Sequence, residues 1–284
     1  MKTKQRGSGK TIAFVFWLYE LFGYRFVYYF MYPVAFAYAL IATNVRESLA
    51  IFYNHLGIEM GFLRYFNHCR VFAVTMVDRF ISKADPKSYV YEYDDSKRPL
   101  EIFSSSAILL FSHYGGWAAS SNSSRTSNTI NIVMKEELKS DIKAIEERLG
   151  YKESIKVIDI NTGPIAVSIA IANALQNNEV VAVMADRASN PNATIEAEFL
   201  GENALFNKNP FEIAYKTKTP LVAYFVILKG IQKYKVEFVE IAVDYTKSKE
   251  EAIREALEVY VRKYEEVVRK NPQQWFNFYN FWEK

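Results

Sequence analysis

The 284-residue chain holds one cysteine, Cys69, so it can form no intrachain disulfide and no cysteine-based zinc cluster. The apolar spacing around that residue reads as a buried neutral thiol rather than a nucleophile. Histidine is nearly as scarce, and the scatter of His55, His68 and His113 argues against a His-rich metal site. There is no Gly-x-Ser-x-Gly elbow, no Walker A stretch and no Gly-x-Gly-x-x-Gly, which leaves three common enzyme classes without support. Acidic residues are missing from the first ten positions, where Lys2, Lys4, Arg6 and Lys10 supply the excess behind a formal charge of only +3. The remainder is near neutral, so a basic groove for nucleic acid is not supported and no nucleic-acid partner is expected.

Charge is also missing from Phe26 to Ala42, a stretch of 17 residues and so at the lower limit of the roughly 17–25 that span a bilayer as a helix. Trp17, Tyr19, Tyr24, Tyr28, Tyr29, Tyr32 and Tyr38 crowd the longer stretch from Thr11 to Ala42, and amphipathic rings favour the membrane interface. Pro33 is expected to kink the helix near its middle. A basic tail beside such a segment suits an anionic membrane surface, and a long apolar region with no clean small-x-small site reads as retained rather than cleaved. Residues 1–43 are therefore expected to be a basic tail and membrane-associated helical anchor, whether spanning or lying in the interface.

No Pro/Gly-rich linker divides the rest, and 44–284 reads as one α/β domain with a helical lead-in and an aromatic C-terminal tail. The lead-in helices fall at 44–56 and 61–82, the second carrying Phe62, Tyr65, Phe66, Cys69, Phe72, Ala73, Met76, Val77 and Phe80 on one stripe. His68 beside the stripe and His55 near a helix end read as packing or surface residues. Beyond Pro86 the texture alternates, with strands expected at 89–93, 107–112, 129–134, 155–158, 180–185, 194–199, 221–227 and 234–241. Helices are expected between them near 117–123, 136–149, 164–176 and 209–218, and a closing amphipathic helix at 249–270. The pattern predicts a mixed, mostly parallel central sheet flanked by helices.

Ligands of such sheets gather beyond the carboxyl ends of the strands. One strand, 107–112, breaks at His113 into Tyr114-Gly115-Gly116-Trp117, and another, 180–185, ends in Asp186-Arg187. If the two run parallel and close together, imidazole and carboxylate emerge on one edge. His113 then suits a general base, since an imidazole titrates near neutrality, although a histidine that merely caps a strand has the same spacing. Gly115 and Gly116 would let backbone N–H groups approach a carbonyl as an oxyanion site. Arg187 offers a planar fork for phosphate, or else an ion pair with Asp186 or Glu196. Arg125, in the polar run 120–128, offers an anion contact, or else lies in a solvated turn. Phe199, Leu205, Phe206 and Phe211 line an acyl tunnel or simply pack the core. Asp186 itself has the bland reading of a turn cap, and Glu198 lies inside a strand-like segment.

These blocks resemble the lysophospholipid acyltransferase superfamily, especially its bacterial lipid A biosynthesis acyltransferase-like branch. The strand ending in His113 is similar to the first motif, in which an acidic residue follows the histidine after four others. Val181-Ala182-Val183-Met184-Ala185-Asp186-Arg187 is similar to the second block. Phe199-Leu200-Gly201 with Ala204, Phe206, Pro210-Phe211 and Ala214 is similar to the third, and Pro220 with its following strand to the fourth. The closing Trp275-Phe276-Asn277-Phe278-Tyr279-Asn280-Phe281-Trp282 resembles the branch's aromatic tail.

The resemblance implies an enzyme that moves a fatty acyl group from an acyl carrier protein or coenzyme A thioester to a hydroxyl or amine of a membrane lipid or glycolipid, with no metal, cofactor or covalent intermediate. It implies the cytoplasmic face of a bacterial inner membrane, His113 as the base, and Gly115, Gly116, Trp117, Arg187 and Arg125 as candidate substrate-binding residues. The motif's acidic position, however, is Ala118. Three readings follow: Asp186 supplies the carboxylate, a backbone carbonyl or water orients the ring, or the chain is a catalytically silent relative that binds lipid or acyl carrier.

Overall fold

The computed structural model describes residues 9–94, 97–117, 119, 128–135, 155–188 and 190–283. Ala118 and Arg125 lie outside them, as do the expected helices at 117–123 (save Trp117 and Ala119) and 136–149.

Three helices lead in: α1 (Gly9–Ile41), α2 (Thr43–His55) and α3 (Phe62–Ala84). After them come β1 (Val90–Tyr93), α4 (Arg98–Ile102), β2 (Ala107–Phe111), β3 (Ile130–Met134) and β4 (Ile155–Asp159). Next are α5 (Pro164–Gln176), β5 (Val180–Met184), the pair β6 (Thr194–Phe199) and β7 (Glu202–Asn207), and α6 (Asn209–Thr217). The long strands β8 (Leu221–Gly230) and β9 (Lys233–Ile241) and the helix α7 (Lys249–Lys270) follow. A capping box starts α7, with the Ser248 hydroxyl and the Glu251 carboxylate each serving the other's backbone N–H.

Seven strands form one sheet in the order β1-β9-β8-β2-β5-β3-β4. All neighbours run parallel except β8 and β9, so the mixed, mostly parallel sheet expected from the sequence is what forms. The expected strand at 194–199 forms but does not join it. It pairs antiparallel with β7, a strand the sequence reading passed over, across a tight turn at Leu200-Gly201. A short hairpin satisfies its own backbone polar groups and needs no place in the large sheet.

Side chains on successive residues of a strand point to opposite faces, and β2 uses both. Ile108 and Leu110 enter a core shared with α2, α7 and the C-terminal tail, while Ala107 and Leu109 enter a second core with α1 and the end of α3. A strand apolar on every residue is what a sheet covered on both sides requires.

In α1, Leu18, Tyr24, Val27, Met31, Ala35 and Ala39 are buried, whereas Trp17, Leu21, Phe22, Tyr29, Leu40 and Ile41 are exposed. The irregular residue within it is Gly23, at φ 74°, and Pro33 is carried inside the helix, so the expected kink falls at a different residue. Glycine alone adopts that backbone without strain. Among the described residues no single helix is long and apolar enough to cross a membrane. The pair Lys10–Ile41 and Thr43–His55, bent by 91°, meets that length and composition only together.

A buried carboxylate ties α1 to the rest. Asp78 of α3, with no solvent exposure, accepts hydrogen bonds from the hydroxyls of Tyr24 in α1, of Tyr89 at 2.7 Å, and of Tyr234 in β9. Burial pushes its pKa up to about 6, against the opposing pull of the three phenols. Ten residues earlier on the same helix, nearly three turns away, His68 is buried and held neutral, its pKa lowered to about 4 by burial despite its bond to the Trp275 carbonyl.

The two groups act on stability with opposite signs. A native pKa raised above the unfolded value gives Asp78 a contribution that is full below about pH 4 and lost as the pH rises through about 6. His68, lowered, contributes above its unfolded value of about 6.5 and loses that contribution as the pH falls through about 4. The net profile is therefore flattened, and Asp78 is isolated by difference. Chemical denaturation of wild type and Asp78→Asn at pH 4 and pH 7 should show the wild type losing about 2 kcal/mol relative to the variant over that interval. A constant difference would show that Asp78 keeps its ordinary affinity for the proton.

Candidate active site

Strands β2 and β5 are adjacent, parallel and in register from Ala107 against Val180 to Phe111 against Met184. From the sheet order, the chain leaves β2 toward β3 on one side and leaves β5 toward β8 on the other. The carboxyl edge at which neighbouring strands send their connections in opposite directions is where an α/β sheet exposes a ligand site. His113 and Asp186 each lie two residues past the last paired position, and so meet at the same level.

Their contact is direct. His113 Nδ1 lies 3.2 Å from Asp186 Oδ1, and the His113 backbone N–H donates to Oδ2 at 2.8 Å. Asp186 is fully buried, while the His113 side chain keeps 28% of its exposure. Burial alone raises the pKa of Asp186, but the His113 charge, hydrogen bonds from the His113 ring and backbone, and the Asn277 amide outweigh it and hold the carboxyl below its usual range. The group thus stays ionised through the neutral range. An ionised acceptor at Nδ1 fixes the ring as the Nδ1–H tautomer and leaves Nε2 for a substrate proton. Among the described residues, the Asp186 carboxylate lies within hydrogen-bond distance of the ring.

The glycine turn serves a purpose other than the expected one. Gly115 N–H donates to the Gln274 carbonyl at 2.8 Å and Gly116 N–H to the Val226 carbonyl at 2.6 Å. Both donors are engaged, which corrects the reading of this pair as an oxyanion site. Their need for glycine is steric: a Cβ at Gly115, which sits at φ 60°, would collide with the Val226 carbonyl, and one at Gly116 would enter the Tyr234 ring. Trp117 packs edge-on against the His113 imidazole, with ring centroids 5.6 Å apart. Arg187 is exposed and its guanidinium lies 4.9 Å from the centroid of Tyr279, a residue of the tail.

The proposed acyl tunnel is filled. Phe199, Phe206 and Phe211 are fully buried and pack on Tyr260, Tyr264, Phe281 and Trp282, so core packing accounts for them. Glu198 is exposed on the hairpin, away from the β2–β5 edge. A groove of about 730 Å³ between β6 and α7 is lined by Glu196, Arg254, Glu258 and Arg262 among others. It mixes both charges and, apart from Glu198, contains none of the candidate residues, so no chemistry is assigned to it. The remaining histidines are structural: His68 is buried between Tyr53 and the Trp275 carbonyl, and His55 stacks on Trp282. Cys69 is buried, and its thiol is pushed up to about 11, chiefly by burial.

Sequence reading missed the part played by the tail. Asn277 donates from Nδ2 to Asp186 Oδ2 at 3.0 Å, and Tyr264 of α7 donates to the same oxygen at 3.5 Å. The available signal was an amide, one of two with Asn280, within a run of aromatic residues.

A comparison with curated proteins gives no match. The family model described as bacterial lipid A biosynthesis acyltransferase matches residues 104–284. That span takes in the strand before His113, the β5 block with Asp186, the hairpin and the aromatic tail, well over half of the sequence. The chain therefore belongs to the bacterial lipid A biosynthesis acyltransferase family.

Proposed function

We propose that this protein is a membrane-associated acyltransferase that moves a fatty acyl group from an acyl carrier protein or coenzyme A thioester to a hydroxyl or amine of a lipid or glycolipid. Family membership supports the acyl transfer. The observation that carries the mechanism is the 3.2 Å approach of His113 Nδ1 to a buried, ionised Asp186. The acceptor hydroxyl loses its proton to His113 Nε2 as its oxygen attacks the thioester carbonyl carbon. A carbon–oxygen bond forms, the carbon–sulfur bond breaks, and the proton passes from the imidazolium to the departing thiolate. Asp186 holds the tautomer and stabilises the imidazolium without taking its proton. No metal or cofactor is required by these steps.

Gly115, Gly116 and Trp117 shape the approach to His113, and the exposed Arg187 is placed to meet a phosphate of donor or acceptor. Arg125 is a further candidate for an anionic group. Residues 1–43 serve as basic tail and interface anchor to the 44–284 domain, at the cytoplasmic face of the inner membrane. The exposed Trp17, Leu21, Phe22, Leu40 and Ile41, continued by Leu63 on α3, support an apolar face lying in the interface. The alternative of a silent binding protein rests on Ala118 alone, and the carboxylate against His113 argues against it.

Transfer of radiolabelled palmitoyl groups from palmitoyl-acyl carrier protein or palmitoyl-coenzyme A to bacterial membrane lipids measures the activity. His113→Ala should lower turnover by about 10²–10⁴-fold, and undiminished transfer would remove His113 as the base. Asp186→Asn, which keeps the shape but loses the charge, should lower it by roughly 10²-fold or more. Unchanged turnover there would reject Asp186 as the partner. Because that partner is already in place, Ala118→Glu should bring no gain in rate; a clear gain would mean the native pair is incomplete.

A further inference from the structure

Asp186 is reached from behind by the C-terminal tail, and every residue of that segment from Gln274 to Asn277 is tied down. Gln274 brackets Leu228 of β8, its Oε1 accepting from the Leu228 N–H at 2.8 Å and its Nε2 donating to the Leu228 carbonyl at 2.9 Å. Trp275 forms an antiparallel bridge with Tyr114, stacks on Phe52 at 4.1 Å, and gives its carbonyl to His68 Nε2 at 2.6 Å. The Phe276 N–H donates to the carbonyl of His113 itself at 2.8 Å. With its neighbours pinned on both sides of the His113 turn, Asn277 is delivered to Asp186 Oδ2 and is only 2% exposed.

The amide is used on one side only. Its Nδ2 donates to the carboxylate, while its Oδ1 is buried with no hydrogen-bond partner among the described residues. A buried orphan acceptor is destabilising, so a residue kept for packing alone would be better replaced by an apolar one of the same size. The donor must therefore matter more than the acceptor. From the His113 side, Asp186 receives the ring at Oδ1 and the backbone N–H at Oδ2. Among the described residues, the Asn277 amide and the longer Tyr264 contact complete its set of donors.

We infer that Asn277 is a positioning residue: it fixes the rotation of the Asp186 carboxylate, and through it the tautomer and aim of His113, so that the C-terminal tail completes the reaction centre. The inference rests on the His113–Asp186 reading above and assigns Asn277 no contact with substrate.

Asn277→Leu in the full-length protein tests it, because leucine keeps the size and removes the orphan acceptor. Turnover with the palmitoyl thioesters should fall roughly 10–100-fold with KM unchanged, as a small loss of aim costs rate rather than binding. Nitrogen-15 spectra of the histidines give a readout that does not depend on activity. With three histidines and His68 fixed as the opposite, Nε2–H tautomer, the His113 signal is separable. Wild type should show His113 as a single Nδ1–H tautomer and Asn277→Leu a mixture of both. Asn277→Ala, measured beside it, should show the same mixture even if it is less stable. Wild-type turnover and a single tautomer in Asn277→Leu would overturn the inference. Undiminished transfer by His113→Ala would instead overturn the base assignment, and the spectra would still decide what Asn277 does to the ring.

Discussion

A carboxylate with no solvent exposure at the end of β5 is the joint on which this molecule turns. Asp186 accepts from the backbone and ring of His113, from Asn277 and from Tyr264, so one side chain joins the β2 turn, the tail and α7. An ionised group in so dry a place is tolerable only when donors surround it. Here the donors come from segments far apart in sequence, and the charge that must be satisfied is what requires those segments to converge.

Much of this was legible beforehand, and the reasons are specific. The apolar runs before His113 and before Asp186 mark two strands that a doubly covered sheet must bury, and the rule of carboxyl-end sites turns two strand ends into one candidate site. Register made them meet, and register is a property of pairing that no single strand reveals. The hairpin strand Glu202–Asn207 was missed because it is short, partly exposed and weakly alternating, with Glu202 and Asn203 opening it. The glycines mark a close backbone approach, but to groups of the protein itself. Their sequence says that backbone comes close to something, and only the fold says that the something is Val226 and Tyr234 rather than a substrate carbonyl. Asn277 was hidden for a related reason: its partner lies 91 positions away, and aromatic neighbours masked an amide whose role exists only in three dimensions.

The N-terminal segment shows composition pulling two ways. Its aromatic, uncharged character suits a membrane, yet one side of α1 is spent on α3 and the sheet, with Tyr24 committed to Asp78. A helix with a buried face and an exposed apolar face cannot also be a free span surrounded by lipid. It is better suited to lie along an interface, with the packed side toward protein and Trp17, Leu21 and Phe22 toward the acyl chains. In that proposed geometry the sheet edge bearing His113 would need no flexible tether to reach a lipid acceptor, since α1 is part of the same core.

Asp78 and Asp186 make an internal comparison of what a buried carboxylate is for. Burial raises the pKa of each, and each accepts from several donors. Asp78 faces three neutral phenols, which cannot offset the loss of water, and its pKa rises to about 6. Asp186 faces an imidazole that can carry positive charge, with an amide and a backbone N–H besides, and its pKa falls. A neutral set of donors suits a tie between helices and strands, where either protonation state holds the hydrogen bonds in some form. A set containing a titratable cation suits proton transfer, because the carboxylate is worth most at the moment the ring becomes charged. The difference lies in the donors rather than in depth of burial, and it favours Asp186 over the equally buried Asp78 as the carboxylate proposed above to stand in for the acidic position held by Ala118.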